Sequence, residues 1–310
     1  MSETRFVYLS DIHAPLQYDE CIALACEYIK RFGPALIVLG GDIVDCISVS
    51  RFPSPGDAPE RLNVELEAVQ KFVLMPIMEA AESGGNKPRV VYLEGNHEFR
   101  LNSYLRVHAR ALIDFPGLTI SEAMGLHKYG IEYIDSKKGN AQFQYGKVRF
   151  QHGERYGVNP ALLHLNDMGG HTIFGHTHKE SHARKTFGSG TDWISLGAGC
   201  LCKPPDYRDI STQSYGFISG WIDEEEGTFD AHHQRIYVET IGKKVKAELF
   251  TREYGTMASE FDGKRQKCVV RYVGRGRTNK ETAIRQSEAA TRPRAAKSAK
   301  ASLVSRKRKD

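Results

Sequence analysis

This 310-residue sequence lacks several features, and each absence excludes a class of protein. No apolar run approaches the ~18 residues that a bilayer-spanning helix needs. The opening Met1-Ser2-Glu3-Thr4-Arg5 passes straight into a strand-like run with no apolar signal-peptide core. A cytoplasmic protein with no membrane partner is therefore expected. The six cysteines (Cys21, Cys26, Cys46, Cys200, Cys202, Cys268) include no Cys-x-x-Cys pair and are too few for a disulfide scaffold, so they read as reduced thiols. Cys200-Leu201-Cys202 is the one close pair. A metal or redox role and simple alternation on a buried strand both accommodate it. There is no internal repeat. With 40% apolar and 10% aromatic residues the chain is not wholly disordered, and its length suits one large domain or two modest ones.

The formal net charge of +5 conceals two unlike parts. Residues 1–273 hold 31 basic and 35 acidic residues, net −4, whereas 274–310 hold 12 Lys or Arg against Glu281, Glu288 and Asp310, net +9. The second part has no aromatic residue and few large aliphatics. Such composition cannot bury enough apolar surface to offset the entropy of ordering, so a disordered basic tail is expected. It admits three readings, an idle solvated extension, a nucleic-acid-binding arm and, behind these two, a protein-partner segment.

Three short β-rich runs, Arg5 to Ser10, Ala35 to Gly41 and Arg89 to Gly95, each end at a Gly, Asp or Ser cluster. Between the first two, Asp19 to Phe32 has helical spacing and stops at Gly33-Pro34. Between the second and third, Glu60 to Glu82 sets Leu62, Leu66, Val69, Val73 and Ile77 on one stripe, with a kink expected at Pro76. This alternation marks parallel α/β architecture. A helical stretch follows Gly95, then a hairpin about Gly146 and a helix from Asn159-Pro160 to about Met168, begun by an N-cap and a first-turn proline. Further strands are expected at Thr172 to Phe174, Asp192 to Leu196, Tyr215 to Ile222, Ala231 to Val238 and Lys244 to Phe250. Two sheets covered by helices would accommodate them.

The residues able to do chemistry stand where these strands end: Asp11-Ile-His13, Gly41-Asp42-Ile-Val-Asp45, Gly95-Asn96-His97-Glu98, His152-Gly153 and Gly175-His176-Thr-His178. In open α/β sheets the carboxyl ends of the strands form the ligand crevice. On extended chain, residues i and i+2 point the same way, so Asp11 with His13, and His176 with His178, could each reach one ion or two adjacent ones. Mixed carboxylate, imidazole and amide donors suit manganese, iron or zinc better than a soft thiolate site. Each piece alone has a structural reading, a hydrogen-bonded turn or a helix cap. Five in this order do not.

Together these motifs resemble those of the calcineurin-like metallophosphoesterases, in the family's order over most of residues 5 to 180. The resemblance implies an α/β fold, a four-layer α/β/β/α sandwich of two facing mixed sheets flanked by helices, here followed by the tail. It also implies two divalent ions, manganese favoured over iron, zinc, nickel or cobalt. Asp11, His13 and His178 would hold one ion and Asn96, His152 and His176 the other, with Asp42 bridging and His97 beside them, oriented by Asp45. Two ions about 3.5 to 4 Å apart can share a water and lower its pKa, giving a bridging hydroxide that attacks phosphorus. His97 would protonate the leaving group as general acid. Gly95 through Arg100, with Gly199-Cys200-Leu201 and Pro205-Asp206-Tyr207, most resemble phage- and prophage-encoded members, which would place the protein in a host cytoplasm.

One departure bears on the substrate. In the family's protein Ser/Thr phosphatases an arginine that grips phosphate follows Gly-Asp-x-x-Asp, and here Cys46 stands there. Arg51 and Arg100 are the candidates to replace it, and Phe52 to Pro59 is a candidate lid. The expected substrate is a phosphodiester, in nucleic acid or a nucleotide. A phosphomonoester, on a nucleotide or a protein, is the alternative, and a non-catalytic binding protein on the same fold is the alternative of another class. His108, His127, His164, His171, His182, His232 and His233 receive no role and read mostly as surface or helix-face residues. The oligomeric state is not set by the sequence.

Overall fold

A computed structural model describes residues 3–52, 61–113, 115–190, 192–204, 212–241, 244–262 and 267–274. The chain divides into Met1–Gly274 and Arg275–Asp310. The second unit lies outside the described residues, as do residues 53–59 of the candidate lid and Pro205-Asp206-Tyr207.

Strands β1 (Glu3–Leu9), β2 (Leu36–Leu39), β3 (Arg89–Leu93) and β4 (Ile131–Ile134) run parallel. Strands β5 (Gln142–Tyr145), β6 (Val148–Gln151), β7 (His171–Phe174), β8 (Ser181–Thr186) and β9 (Asp192–Gly197) form a second sheet in the order β5-β6-β7-β9-β8. The chain then returns to the first sheet. There β10 (Tyr215–Asp223) lies antiparallel to β1, and β11 (Thr228–Ile241), β12 (Lys244–Thr251), β13 (Gly255–Asp262) and β14 (Lys267–Gly274) extend it as a meander to nine strands. Both sheets are mixed.

The helices are α1 (Asp19–Phe32), α2 (Leu62–Val69), α3 (Met75–Ser83), α4 (Phe99–His108), α5 (Ile120–Ala123) and α6 (Pro160–Met168). Strand alternation sorts the core into layers. From β1, Val7 and Leu9 pack with Leu24 and Tyr28 of α1 and Ile77 of α3, whereas Phe6 and Tyr8 face the second sheet and pack with Phe143, Phe150 and Ile173. On the far side of that sheet Ala161 of α6 meets Phe174 and Ala183. The sequence thus builds helices, sheet, sheet, helix, the expected four layers, because every central strand is apolar on both faces.

The expected kink at Pro76 takes a particular form. Between α2 and α3 the chain makes a π-helical segment, Gln70–Leu74, that ends two residues before Pro76. Proline has no N–H for the carbonyl four residues back and its ring crowds that carbonyl, so a wider turn ahead of it relieves both constraints. Strands β4, β8, β13 and β14 were not among the expected elements. Among the described residues no helix is long and apolar enough to cross a membrane, and all six cysteines are unpaired.

Candidate metal centre and active site

Strands β1, β2 and β3 of one sheet and β6 and β7 of the other end at the same rim, and the turns beyond them carry the motif residues. The two sheets are joined here by polar bonds: Tyr8 donates its hydroxyl to the Gln151 carbonyl (2.8 Å), and His152 Nδ1 meets the Gly40 carbonyl (2.9 Å).

The alternation expected for extended chain is not what aligns the candidate ligands. Asp11, His13, Asp42, His176 and His178 all have left-handed backbone, with φ between 50° and 67°. That conformation costs a non-glycine residue about 1 to 3 kcal/mol and persists where surroundings enforce it. The enforcement is visible. The N–H groups of Asp11, Ile12 and His13 donate to the carbonyls of Gly41 and Asp42. His176 N–H donates to the Asp11 carboxylate at 2.9 Å, and His97 N–H to Asp42 Oδ1 at 2.9 Å. Gly95 is required by close approach, since a Cβ there would lie 2.4 Å from Asp42 Oδ1 and 2.5 Å from the Asp42 nitrogen.

Glu98 received no role from the sequence, although it closes the third motif. It is 1% exposed, and its carboxylate accepts from the backbone N–H groups of Asp42, Ile43 and Gly95 and from the Tyr92 hydroxyl, all at 2.8 to 2.9 Å. It ties the turn after β2 to the turn after β3. Its signal was a glutamate that ends a strand-end motif and whose reach covers both turns.

The structure brings all seven expected ligands into one cluster. His152 Nε2 lies 3.0 Å from Asn96 Oδ1, 3.1 Å from His176 Nδ1 and 3.3 Å from Asp42 Oδ2. His178 Nε2 lies 3.1 Å from His13 Nε2 and 3.3 Å from Asp11 Oδ1. Asp42 Oδ2 is 3.8 Å from both His13 Nε2 and His97 Nε2. The separations of 3.0 to 3.3 Å are the edges expected between neighbouring ligands whose metal bonds are each about 2.1 Å.

The donor chemistry fits a cation. Because a carbonyl only accepts, His152 Nδ1 must carry the proton, and neutral His152 then turns a lone pair at Nε2 toward the carboxylate of Asp42 and the amide of Asn96. Burial presses the His152 imidazolium down, yet Asp42 and, behind it, Asp11 and Glu98 raise it to about 9. Such a site favours positive charge at Nε2, as proton or metal ion. His176 goes the other way, to about 4, through burial and the charge of His152.

Asp45 joins two rings. Its Oδ1 lies 3.0 Å from Nδ1 of both His13 and His97, and its carbonyl lies 2.8 Å from His97 Nδ1. Burial alone would raise the Asp45 carboxyl, but these imidazoles hold it well below the usual range. Burial also opposes the His97 imidazolium, and Asp42 and Asp45 outweigh it, leaving His97 above its ordinary value. Arg100 bonds His97 Nε2 (2.9 Å) and donates to the Asp45 carbonyl (2.8 Å), so its guanidinium comes beside the residue that precedes Cys46. Arg51 is exposed, lies over its neighbour Phe52 and makes none of the hydrogen bonds described for the cluster.

Cys202 stands 3.8 Å from His178 Nδ1, and the Gln213 amide, placed with its nitrogen Nε2 toward the ring, is 2.8 Å from the same atom. Cys200 and burial hold the Cys202 thiol well above its ordinary value. It therefore faces, as a neutral group, the ring edge opposite the one turned to the cluster. Gln213, far along the chain, gave no sequence signal. His164 is not a surface residue, being fully buried on α6 against Phe174.

Residues 4–216 match the sequence model of the calcineurin-like phosphoesterases. The chain belongs to that family. The match covers every residue of the cluster and ends inside β10, so β11 to β14 lie beyond it. Solved structures similar to this calcineurin-like chain include a dimetal phosphatase from Danio rerio (12% identity, 87% of this chain and 99% of that one, TM-score 0.32). A phosphatase from Mycoplasma pneumoniae (11%, 76% and 94%, TM-score 0.36) and a Vps29 variant from Entamoeba histolytica (11%, 87% and 100%, TM-score 0.30) are also similar. At these scores they add nothing to the family assignment. No curated protein matches the chain, and none of these findings bears on the likeness to phage-encoded members.

Proposed function

We propose that this protein is a metal-dependent phosphoesterase acting on phosphodiesters, with Asp11, His13 and His178 holding one divalent ion, Asn96, His152 and His176 the other, and Asp42 bridging. Manganese is the ion we favour. The observation that carries this reading is the position of Asp42: Oδ1 is engaged by the His97 N–H while Oδ2 faces His152 on one side and His13 on the other. Two divalent ions bound there would supply a water acidic enough to act as nucleophile at neutral pH and would neutralise the phosphoryl oxygens.

His97 is the group placed to move a proton. Asp45 at Nδ1 fixes the ring and supports the imidazolium, leaving Nε2 to face the leaving oxygen. Arg100 now occupies Nε2, so its guanidinium must swing away before His97 acts as an acid, and an arriving phosphoryl oxyanion provides the attraction. With Cys46 where a phosphate-gripping arginine could stand, Arg100 is the one guanidinium among the cluster's described hydrogen bonds that can meet the phosphoryl group, which is little positive charge for a dianionic monoester. A singly charged diester makes the smaller demand.

Metal analysis of protein purified without chelator, followed by bis-nitrophenyl phosphate against nitrophenyl phosphate, tests this. Two ions per chain and a higher kcat/KM on the diester are expected. Preference for the monoester would sink the diester assignment. A fully loaded protein inert on both would favour a binding protein on the same fold.

A further inference from the structure

Tyr156 lies on the loop that follows His152-Gly153. Its ring centroid is 4.5 Å from that of His176, yet the residue is 68% exposed. A ring left so far in water contributes little to folding. The loop beneath it is nevertheless pinned. Glu154 N–H donates to Nε2 of the buried His164 (3.2 Å), whose Nδ1 donates to the Pro160 carbonyl (2.9 Å), and Arg155 pairs with Asp167 at 2.5 Å. A buried histidine and an ion pair thus hold an aromatic ring in the open beside a candidate metal ligand. Val158 on the same loop and Leu162 on α6 are also exposed.

We propose that Tyr156 is a stacking platform for a nucleobase carried by the phosphoester substrate. This rests on the phosphoesterase reading above. A phosphoryl group held by the cluster would leave its nucleoside beside His176, where the exposed ring offers a planar face. Stacking on such a face is sequence-tolerant and is worth about 1 to 3 kcal/mol per base.

The test compares thymidine 5′-(p-nitrophenyl phosphate) with methyl p-nitrophenyl phosphate on the metal-loaded full chain. Both release nitrophenolate and differ in the group retained on phosphorus. Tyr156→Ala should lower the ratio of kcat/KM for the thymidine ester to that for the methyl ester by roughly tenfold, and Tyr156→Phe should preserve it. A ratio unchanged within twofold in the alanine variant overturns the proposal. So does a phenylalanine variant that behaves like alanine, since the hydroxyl would then be responsible. If the wild-type protein hydrolyses neither ester, the diester reading fails by itself, and calorimetric binding of thymidine 5′-monophosphate decides the platform. Affinity reduced in the alanine variant supports it, and equal affinity overturns it.

Discussion

Behind His152 stands a backbone carbonyl, that of Gly40 at 2.9 Å from Nδ1, whereas behind His178 stands a side chain, the Gln213 amide at 2.8 Å from Nδ1. The carbonyl can only accept, so the fold itself fixes the His152 tautomer and turns a lone pair at Nε2 into the cluster. An amide can present either its oxygen or its nitrogen, so the state of the His178 ring depends on which way Gln213 turns. Burial follows the same division, with the His152 side chain fully buried and that of His178 24% exposed. His152 is fixed by backbone and burial. His178 is held by a side chain that substitution can reach.

The largest effect should come from the residue common to both halves. Asp42→Asn removes the charge facing His152 and His13 together, so both ions should be lost and metal affinity should fall by more than about a hundredfold, beyond the loss of an outer partner. Elemental analysis checks it, and two retained ions would end the bridging assignment. His97→Ala should spare both halves and remove proton delivery alone. We expect about 10²- to 10⁴-fold slower hydrolysis of alkyl esters, with a much smaller loss on nitrophenyl esters that leave unaided. Equal losses on the two would remove the acid role.

Glu98 tests whether the His152 half is as rigid as its geometry indicates. Glu98→Ala strands the buried N–H groups of Asp42, Ile43 and Gly95 with the Tyr92 hydroxyl. The expected cost is roughly 3 kcal/mol, a fall in melting temperature of about 6 to 12 °C. A fall under 2 °C would show that those turns stand without it.

The same division governs what could be read from the sequence. The clustering of the candidate ligands was legible because each lies in a short motif at the end of an apolar strand, and strand, helix and turn signals of β1 to β3 are local. Their conformation was not. Asp11-Ile12-His13 reads as extended chain, and bonds to Gly41 and Asp42 in the turn after β2 accompany the left-handed backbone of Asp11 and His13. Strand β8 is mostly exposed at the edge of its sheet, with Ala183 its one buried residue, so no apolar alternation marks it. Strands β13 and β14 are recognisable only through their pairing and the packing of α1. The pairing of β1 with β10, Glu3 opposite Asp223, spans most of the described chain. Gln213 is a polar residue in a connection, and nothing in its neighbourhood announces His178.

Gln213 therefore gives the sharpest comparison with the smallest effect. If its amide oxygen accepts from His178 Nδ1, the ring offers a lone pair at Nε2, and a carboxylate in its place would do the same. Gln213→Leu should weaken binding of one ion about tenfold, within the 10- to 100-fold range of lost outer partners, while Gln213→Glu should keep wild-type affinity. Calorimetric titration of manganese into stripped protein reads both ions. Only the affinity assigned to the Asp11, His13 and His178 group should move, because the other group rests on the Gly40 carbonyl. A leucine variant with both affinities unchanged would mean that packing alone sets the His178 ring, and the contrast between a backbone-held His152 and a side-chain-held His178 would dissolve.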